Sequence, residues 1–344
     1  MIEPFTLPLD VPLSTADGTI AEREGFLFAR DGGVGEAAPL AGWTESLDAC
    51  ERALREADAA DDWNGALAAC ESARAARHAV SLAKLDADAR AAGVPLAGHL
   101  ADLNHRDAVP VNATVGDADP ETTANSVAEA TRAGFETVKV KVGARSVADD
   151  TERLRLARKA AREAADSTAV SPDSLALRAD ANGAWTREQA REAFDAFADV
   201  GVEYVEQPLP TDDLEGHRAL RGGAVGVALD ESLPAHSASD VFPAADYVVL
   251  KPMALGGVDR ARDVALAARN AGVTPVVTTT IDAVVARTAA VHLAASLPDV
   301  PACGLATADR LVEDLAADPA PVERGRIRVP DGPGVGVSGV VEGA

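Results

Sequence analysis

The rhythm of apolar and polar positions changes near residue 109. Before that point, residues 1–37 read as extended segments with turn signals at Asp17-Gly18 and Asp31-Gly32-Gly33. Residues 45–59 and 64–92 are rich in Ala and carry apolar positions at helical spacing. Strands followed by helices predict a small α+β unit. From 109 onward, short β-branched runs alternate with amphipathic stretches. The runs are 109–115, 137–142, 176–180, 203–206, 225–230, 247–251, 275–279 and 302–305, and helical patterns at 121–133, 150–165, 186–199, 258–271 and 282–297 lie between most of them. Eight strand-like runs with crossover helices fit an α/β fold of the (β/α) TIM-barrel type. An open doubly wound sheet needs a Gly-rich loop after its first strand, and Val115-Gly116-Asp117-Ala118 is not one. The tail after Ala317 ends in Pro330-Asp331-Gly332-Pro333-Gly334 and reads as an irregular segment returning to the first unit. The expected domains are an α+β unit over 1–105, a barrel over 106–318 and a returning segment over 319–344.

Composition sharpens this picture. A length of 344 residues suits a barrel plus a smaller domain. Aromatic content of only 3% means that the core must be built mostly of Val, Leu and Ala. No stretch approaches the roughly 20 apolar residues of a membrane span. The start, Met1-Ile2-Glu3-Pro4-Phe5, lacks a basic region followed by an apolar run, so no secretory leader is expected. Cys50, Cys70 and Cys303 are far apart and form no CxxC, which points to a reducing, cytoplasmic setting and away from a thiolate metal site. A net charge of −23 argues against broad attraction to nucleic acid or an anionic membrane. The basic residues are lopsided, 27 Arg against 5 Lys. Many acids with almost no Lys match proteins of cells that hold molar salt, which screens charge over about 3 Å; a halophilic protein is expected. In such a chain a surviving lysine more often has a task that Arg cannot perform.

Almost every strand-like run ends in charge. In Val138-Lys139-Val140-Lys141-Val142 a period of two puts both lysines on one face and the valines on the other. Later runs end in Asp180-Ala181-Asn182, Glu206-Gln207-Pro208, Asp230-Glu231-Ser232 and Lys251-Pro252. Asp180, Glu206 and Asp230 are 26 and 24 residues apart, about one βα unit each time. Three carboxylates at adjacent strand ends repel one another unless a hard cation holds them, and Mg²⁺ is the natural candidate, with Mn²⁺ able to substitute. Lys141 and Lys251 would flank what the metal holds. Such a set suits removal of a proton beside a carboxylate, because metal and ammonium stabilise the charge that forms. Lys141 is then the base, Lys139 the cation that lowers its pKa, and Lys251 an opposite-face acid/base or an electrostatic stabiliser. The six histidines are scattered and none follows a strand end, so each is expected to pack or face solvent.

The order Lys139-x-Lys141, Asp180-x-Asn182, Glu206-Gln207-Pro208, Asp230-Glu231-Ser232 and Lys251-Pro252 resembles the enolase superfamily, in its muconate-lactonizing-enzyme subgroup. The mandelate racemase subgroup would place a histidine where this chain has Thr278-Thr279-Thr280-Ile281-Asp282. The resemblance covers nearly the whole chain. Arg23-Glu24-Gly25 and Gly35-Glu36-Ala37-Ala38-Pro39-Leu40 look like the family's N-terminal capping domain, and it implies a (β/α)7β barrel. Within the subgroup the chain is most similar to the o-succinylbenzoate synthase family, the dehydratases of menaquinone biosynthesis, on Thr278-Thr279-Thr280-Ile281 and Gly304-Leu305-Ala306-Thr307. That resemblance implies Mg²⁺ on Asp180, Glu206 and Asp230. It implies that Lys141 takes the α-proton and then helps the hydroxyl leave in a syn elimination, with Lys251 stabilising the enediolate. Asn182, Thr279, Thr280, Gly304 and Leu305 are the expected substrate contacts, with specificity loops near 14–20 and 40–43. Dipeptide epimerases carry an Asp-x-Asp near the last run, and Cys303-Gly304-Leu305-Ala306-Thr307-Ala308 holds no carboxylate. N-acylamino-acid racemases, muconate cycloisomerases and a non-catalytic carboxylate-binding barrel are the remaining alternatives. The expected partner is a small carboxylate, and a homo-oligomer is left open.

Overall fold

A computed structural model describes residues 1–344 except 16, 17, 102, 172, 173 and 341–344, so part of the expected 14–20 loop lies outside the described residues. Strands β1 (Ile2–Thr15), β2 (Gly18–Arg30) and β3 (Gly33–Ala37) form an antiparallel meander. Helices α1 (Leu47–Asp58), α2 (Trp63–Ala69), α3 (Arg74–Ala92) and α4 (Leu96–Leu100) follow. Much of this layer's core is alanine, and glycine lets α3 lie directly on β3: a Cβ at Gly35 would stand 1.9 Å from the Ala79 carbonyl oxygen. The helix expected over 64–92 is broken between Cys70 and Ala73. The Glu45 carboxylate accepts from the amides of Ala75 (3.1 Å) and Ala76 (2.9 Å), so a distant residue caps the start of α3.

The remainder runs β4 (Ala108–Pro110), β5 (Ala113–Val115), α5 (Pro120–Arg132), β6 (Thr137–Lys141), α6 (Val147–Ala165), β7 (Ala176–Asp180), α7 (Arg187–Val200), β8 (Val202–Glu206), α8 (Leu214–Leu220) and β9 (Gly226–Leu229). It continues with short helices α9 (Ser232–Ala235) and α10 (Ala238–Val241), then β10 (Tyr247–Leu250), α11 (Pro252–Leu255), α12 (Val258–Asn270), β11 (Thr274–Val277), α13 (Val284–Ser296), β12 (Val322–Glu323) and β13 (Arg326–Arg328). Strands β5 to β11 make one seven-stranded parallel sheet in chain order. Consecutive strands are neighbours because helices or helical loops return the chain in parallel. The helix patterns hold to within a few residues, and local caps explain the offsets: Ser146 accepts from the Asp149 amide, so α6 begins at Val147.

Two expected strands differ. The run 109–115 is split, because β4 pairs antiparallel with β13 while only β5 joins the parallel sheet. The run 302–305 makes no strand; Val111–Cys303 and Thr278–Gly304 are isolated parallel bridges linking the two edges of the sheet. Pro301 just before the run and Gly304 inside it weaken an extended ladder. Residues 334–337 dock on α3 and α4: Leu96 donates to the Gly334 carbonyl, and the Val335 amide donates to Asp86. Among the described residues no helix is long and apolar enough to cross a membrane, and all three cysteines are free and buried.

The N-terminal layer grips the loops at the C-terminal ends of the later strands. Arg74 donates to the Pro234 carbonyl after β9, Arg77 to Gly256 and Asp259 after β10, and Arg23 to the Ile281 carbonyl after β11. Buried Glu36 accepts from Ala283 and Ala286 at the start of α13. Burial, then the neighbouring Asp282, pushes the Glu36 carboxyl up to about 8, against the pull of those two amides.

Candidate active site

Parallel register sets the site. Lys141 lies beside Asp180, and Asp180 beside Glu206, across β6, β7 and β8. Asp230 and Lys251 follow directly after β9 and β10. Val138 and Val140 are buried, and both lysines of β6 turn to the other face, as the period of two predicts.

The charges interleave. Lys139 donates to both Glu206 oxygens (2.9 and 2.8 Å) and lies 3.1 Å from Asp180. Lys141 donates to Asp180 (2.7 Å) and to the side-chain oxygen of Asn182 (2.6 Å). Lys251 donates to Asp230 at 2.5 Å. Among the described residues no three acidic, histidine or cysteine side chains close into one cluster. The three carboxylates form a row with ammonium groups set between them.

The electrostatics are uneven along that row. Burial opposes ionisation of Asp180, but Lys139 and Lys141 outweigh it and hold its carboxyl well below the usual range. Burial and the neighbouring Asp180 push Glu206 up to about 7 despite Lys139. Burial pushes Asp230 up to about 6, with Lys251 opposing and Glu231 adding to the rise. Lys139, largely desolvated though not fully buried, is held well above its ordinary value by Glu206 and Asp180, so it is a fixed cation. Asp230 Oδ1 and Glu231 Oε2 are buried without a hydrogen-bond partner. Surplus carboxylate oxygen with orphaned acceptors is the donor chemistry of a hard divalent cation, so these residues fit one.

Several supporting groups were not legible as such. Gln207 has left-handed backbone (φ 41°), and its side-chain oxygen accepts from the amides of Asp230 and Ser232. It thereby braces the third carboxylate from the neighbouring strand. Asn182 (φ 45°) accepts from Lys141 and donates to Glu231. The indole of Trp43 lies over Lys251, with the ammonium 3.5 Å from the ring centroid. The 40–43 loop, expected to shape specificity, therefore reaches the site through Trp43.

The other expected substrate contacts divide. Thr279 shares a hydrogen bond with Thr307 and accepts from the Ile281 amide. Thr280 is buried and donates to Asp282, turned into the loop's own support. Gly304 packs on Thr278, whose hydroxyl donates to its carbonyl, and the Leu305 side chain is wholly buried in the main core. Leu305 thus serves packing, since its position in the linking segment points it inward. Of the histidines, His78, His217 and His292 are buried packing groups; His78 binds the Glu36 carbonyl.

The family model described as Enolase C-terminal domain-like matches residues 122–340. The o-succinylbenzoate synthase of Thermobifida fusca (strain YX) is 39% identical over 222 residues, 62% of this chain and 64% of that protein. The chain thus spans somewhat less than two thirds of that relative's length. The L-Ala-D/L-Glu epimerase of Bacillus subtilis (strain 168) is 29% identical across 97% of this chain and 94% of its own. Its substrate-liganded structure superposes with a TM-score of 0.85 over 98% of this chain and 97% of that one, at 28% identity. A dipeptide epimerase from Methylococcus capsulatus, complexed with Mg and the dipeptide L-Arg-D-Lys, gives a TM-score of 0.84 over 98% of each chain, at 28% identity.

Proposed function

Because the chain belongs to the Enolase C-terminal domain-like family, we propose that it is a divalent-metal-dependent carbon–oxygen lyase acting as an o-succinylbenzoate synthase. On this reading it dehydrates 2-succinyl-6-hydroxy-2,4-cyclohexadiene-1-carboxylate in menaquinone biosynthesis. The edge-linked sheet acts as a (β/α)7β barrel over 106–318, under a capping unit of 1–105 and a returning segment of 319–344. Asp180, Glu206 and Asp230 would hold Mg²⁺. Bound there, the ion would supply Lewis-acid stabilisation of negative charge developing on the substrate carboxylate.

The chain's own groups do the rest. Lys141 takes the α-proton on its amine, and the C–H electrons flow toward the carboxylate. The resulting ammonium then gives that proton to the departing hydroxyl on the same face. Water leaves and the ring becomes aromatic. Lys139 stays charged beneath the carboxylate row, and Lys251 adds a second fixed cation.

The observation that carries the dehydratase reading is the asymmetry of the two lysines. The Lys141 side chain keeps 36% of its surface open, while that of Lys251 keeps 14% and is clasped between Asp230 and Trp43. A one-face elimination needs one mobile proton carrier and one fixed cation. The epimerase or racemase reading is favoured by a different observation, the near-complete span of the Bacillus subtilis epimerase. The stretch 303–308 holds no carboxylate to receive a dipeptide's ammonium. Purified protein with Mg²⁺ is offered the hydroxycyclohexadiene carboxylate, N-succinylamino acids and L-Ala-L-Glu in D₂O. Product absorbance without α-deuterium in the amino-acid substrates is expected. Rapid α-exchange without elimination would move the assignment to the racemases.

A further inference from the structure

Behind the end of β6 lies an ion pair that the proposed reaction does not use. Asp150 and Arg153, in the first two turns of α6, are both wholly buried, and their charged atoms are 2.6 Å apart. Each also holds backbone of the turn that carries Lys141. Arg153 donates to the Lys141 carbonyl at 3.2 Å. Asp150 accepts from the Gly143 amide at 2.7 Å through its other oxygen. The second guanidinium nitrogen donates to Thr123 on α5 at 3.2 Å, which fixes the pair against the neighbouring helix.

The backbone needs this support. Gly143 has φ 94°, and a Cβ there would come within 2.9 Å of Ala184 Cβ, so the turn is both left-handed and tightly confined. A buried ion pair is weak as a source of stability, since apolar residues of similar volume often serve as well. Its geometric effect is specific: it holds the peptide groups on both sides of Val142, from which the long Lys141 side chain is launched. On the far side, the Val142 amide donates to the Asp180 carbonyl, so the turn is clamped from both the helix and the strand.

We propose that Asp150 and Arg153 are positioning residues for Lys141, setting the depth at which its amine meets the substrate's α-carbon. The proposal rests on the assignment of Lys141 as base. An error of about 1 Å in such a group costs on the order of a hundredfold in rate.

The test uses the full chain with Mg²⁺ and reads elimination of the hydroxycyclohexadiene carboxylate or, failing that, α-deuterium exchange of an N-succinylamino acid. Arg153→Lys keeps a cation opposite Asp150, but one ammonium cannot span the Lys141 carbonyl and Thr123. The neutral pair Asp150→Asn with Arg153→Met leaves no unpaired charge and decides the question if the lysine variant does not fold. In either, kcat per Mg²⁺-binding site is expected to fall at least tenfold, with KM and calorimetric Mg²⁺ affinity within about threefold of wild type. A merely structural pair would lower the melting temperature and leave kcat per binding site unchanged; kcat within twofold of wild type in the folded neutral pair overturns the proposal. Lys141→Ala in the same assay separates the two levels. If it turns over like wild type, the base assignment falls and takes this inference with it. If it is dead while the pair variants run normally, only this inference falls.

Discussion

Replacing Lys251 by Arg and by Ala separates a fixed cation from a proton carrier. The ammonium lies 2.5 Å from Asp230 and 3.5 Å from the Trp43 ring centroid. Before Mg²⁺ binds, Lys251→Ala leaves the Asp230 carboxylate buried without its ammonium partner, and breaking such a pair costs roughly 3–5 kcal/mol. In the metal-free protein the Asp230 carboxyl, already up to about 6 with Lys251 beside it, then rises further. Loss of one preorganised charge facing the transition state lowers kcat by about 10²–10³. Elimination should therefore fall by at least that much in Lys251→Ala. Lys251→Arg keeps the charge, can face the indole and can pair with Asp230, but it does not readily give up a proton. About a tenth or more of wild-type elimination should remain, and any racemase activity should vanish. Elimination is followed by product absorbance, and racemisation by deuterium uptake into an N-acylamino acid, after normal Mg²⁺ binding has been verified by calorimetry. Deuterium uptake at both faces by Lys251→Arg would refute the fixed-cation role.

Four further outcomes follow from the charge distribution. Chelator should abolish activity and Mg²⁺ or Mn²⁺ restore it, while Asp180→Asn, Glu206→Gln and Asp230→Asn each cut turnover severely without unfolding. Since Glu206 and Asp230 must lose protons held near 7 and 6, calorimetric Mg²⁺ affinity should weaken as pH drops below 7, and a flat profile would contradict the ligand set. Glu36 has its folded pKa raised from 4.5 to about 8, so its stabilising contribution is full below 4.5 and lost as pH rises through 8, on the order of 5 kcal/mol. The melting temperature of Glu36→Gln should accordingly gain on wild type between pH 5 and 9; a constant gap would show that Glu36 does not titrate there. With a net charge of −23, the protein should melt at higher temperature in molar KCl than in low salt, and a flat or falling trend would remove the halophilic reading.

Local information was enough for much of this architecture. The alternation in Val138-Lys139-Val140-Lys141 places both lysines opposite a valine face, and the β6 burial pattern follows it. Asp180, Glu206 and Asp230 were legible because each sits where a β-branched run stops. What local pattern could not carry was set by distant partners. Residues 109–115 split because Val109 meets Ile327, more than two hundred residues away. The helix over 64–92 breaks where Glu45 caps α3. Trp43 reached Lys251 because Arg23 ties the Ala38 and Pro39 carbonyls to the loop after β11, a tether across three segments. The interleaving of lysines with carboxylates also escaped, since spacing reports which strand ends carry charge but not which oxygen each ammonium meets.

The central claim is that Lys141 removes a proton beside the substrate carboxylate. Its most direct test is single-turnover loss of that proton by Lys141→Ala, followed as product formation and as α-deuterium exchange in D₂O with saturating Mg²⁺. The account predicts that both signals vanish while calorimetric Mg²⁺ affinity and melting temperature stay near wild type. Proton loss at a near-wild-type rate in that variant would contradict it.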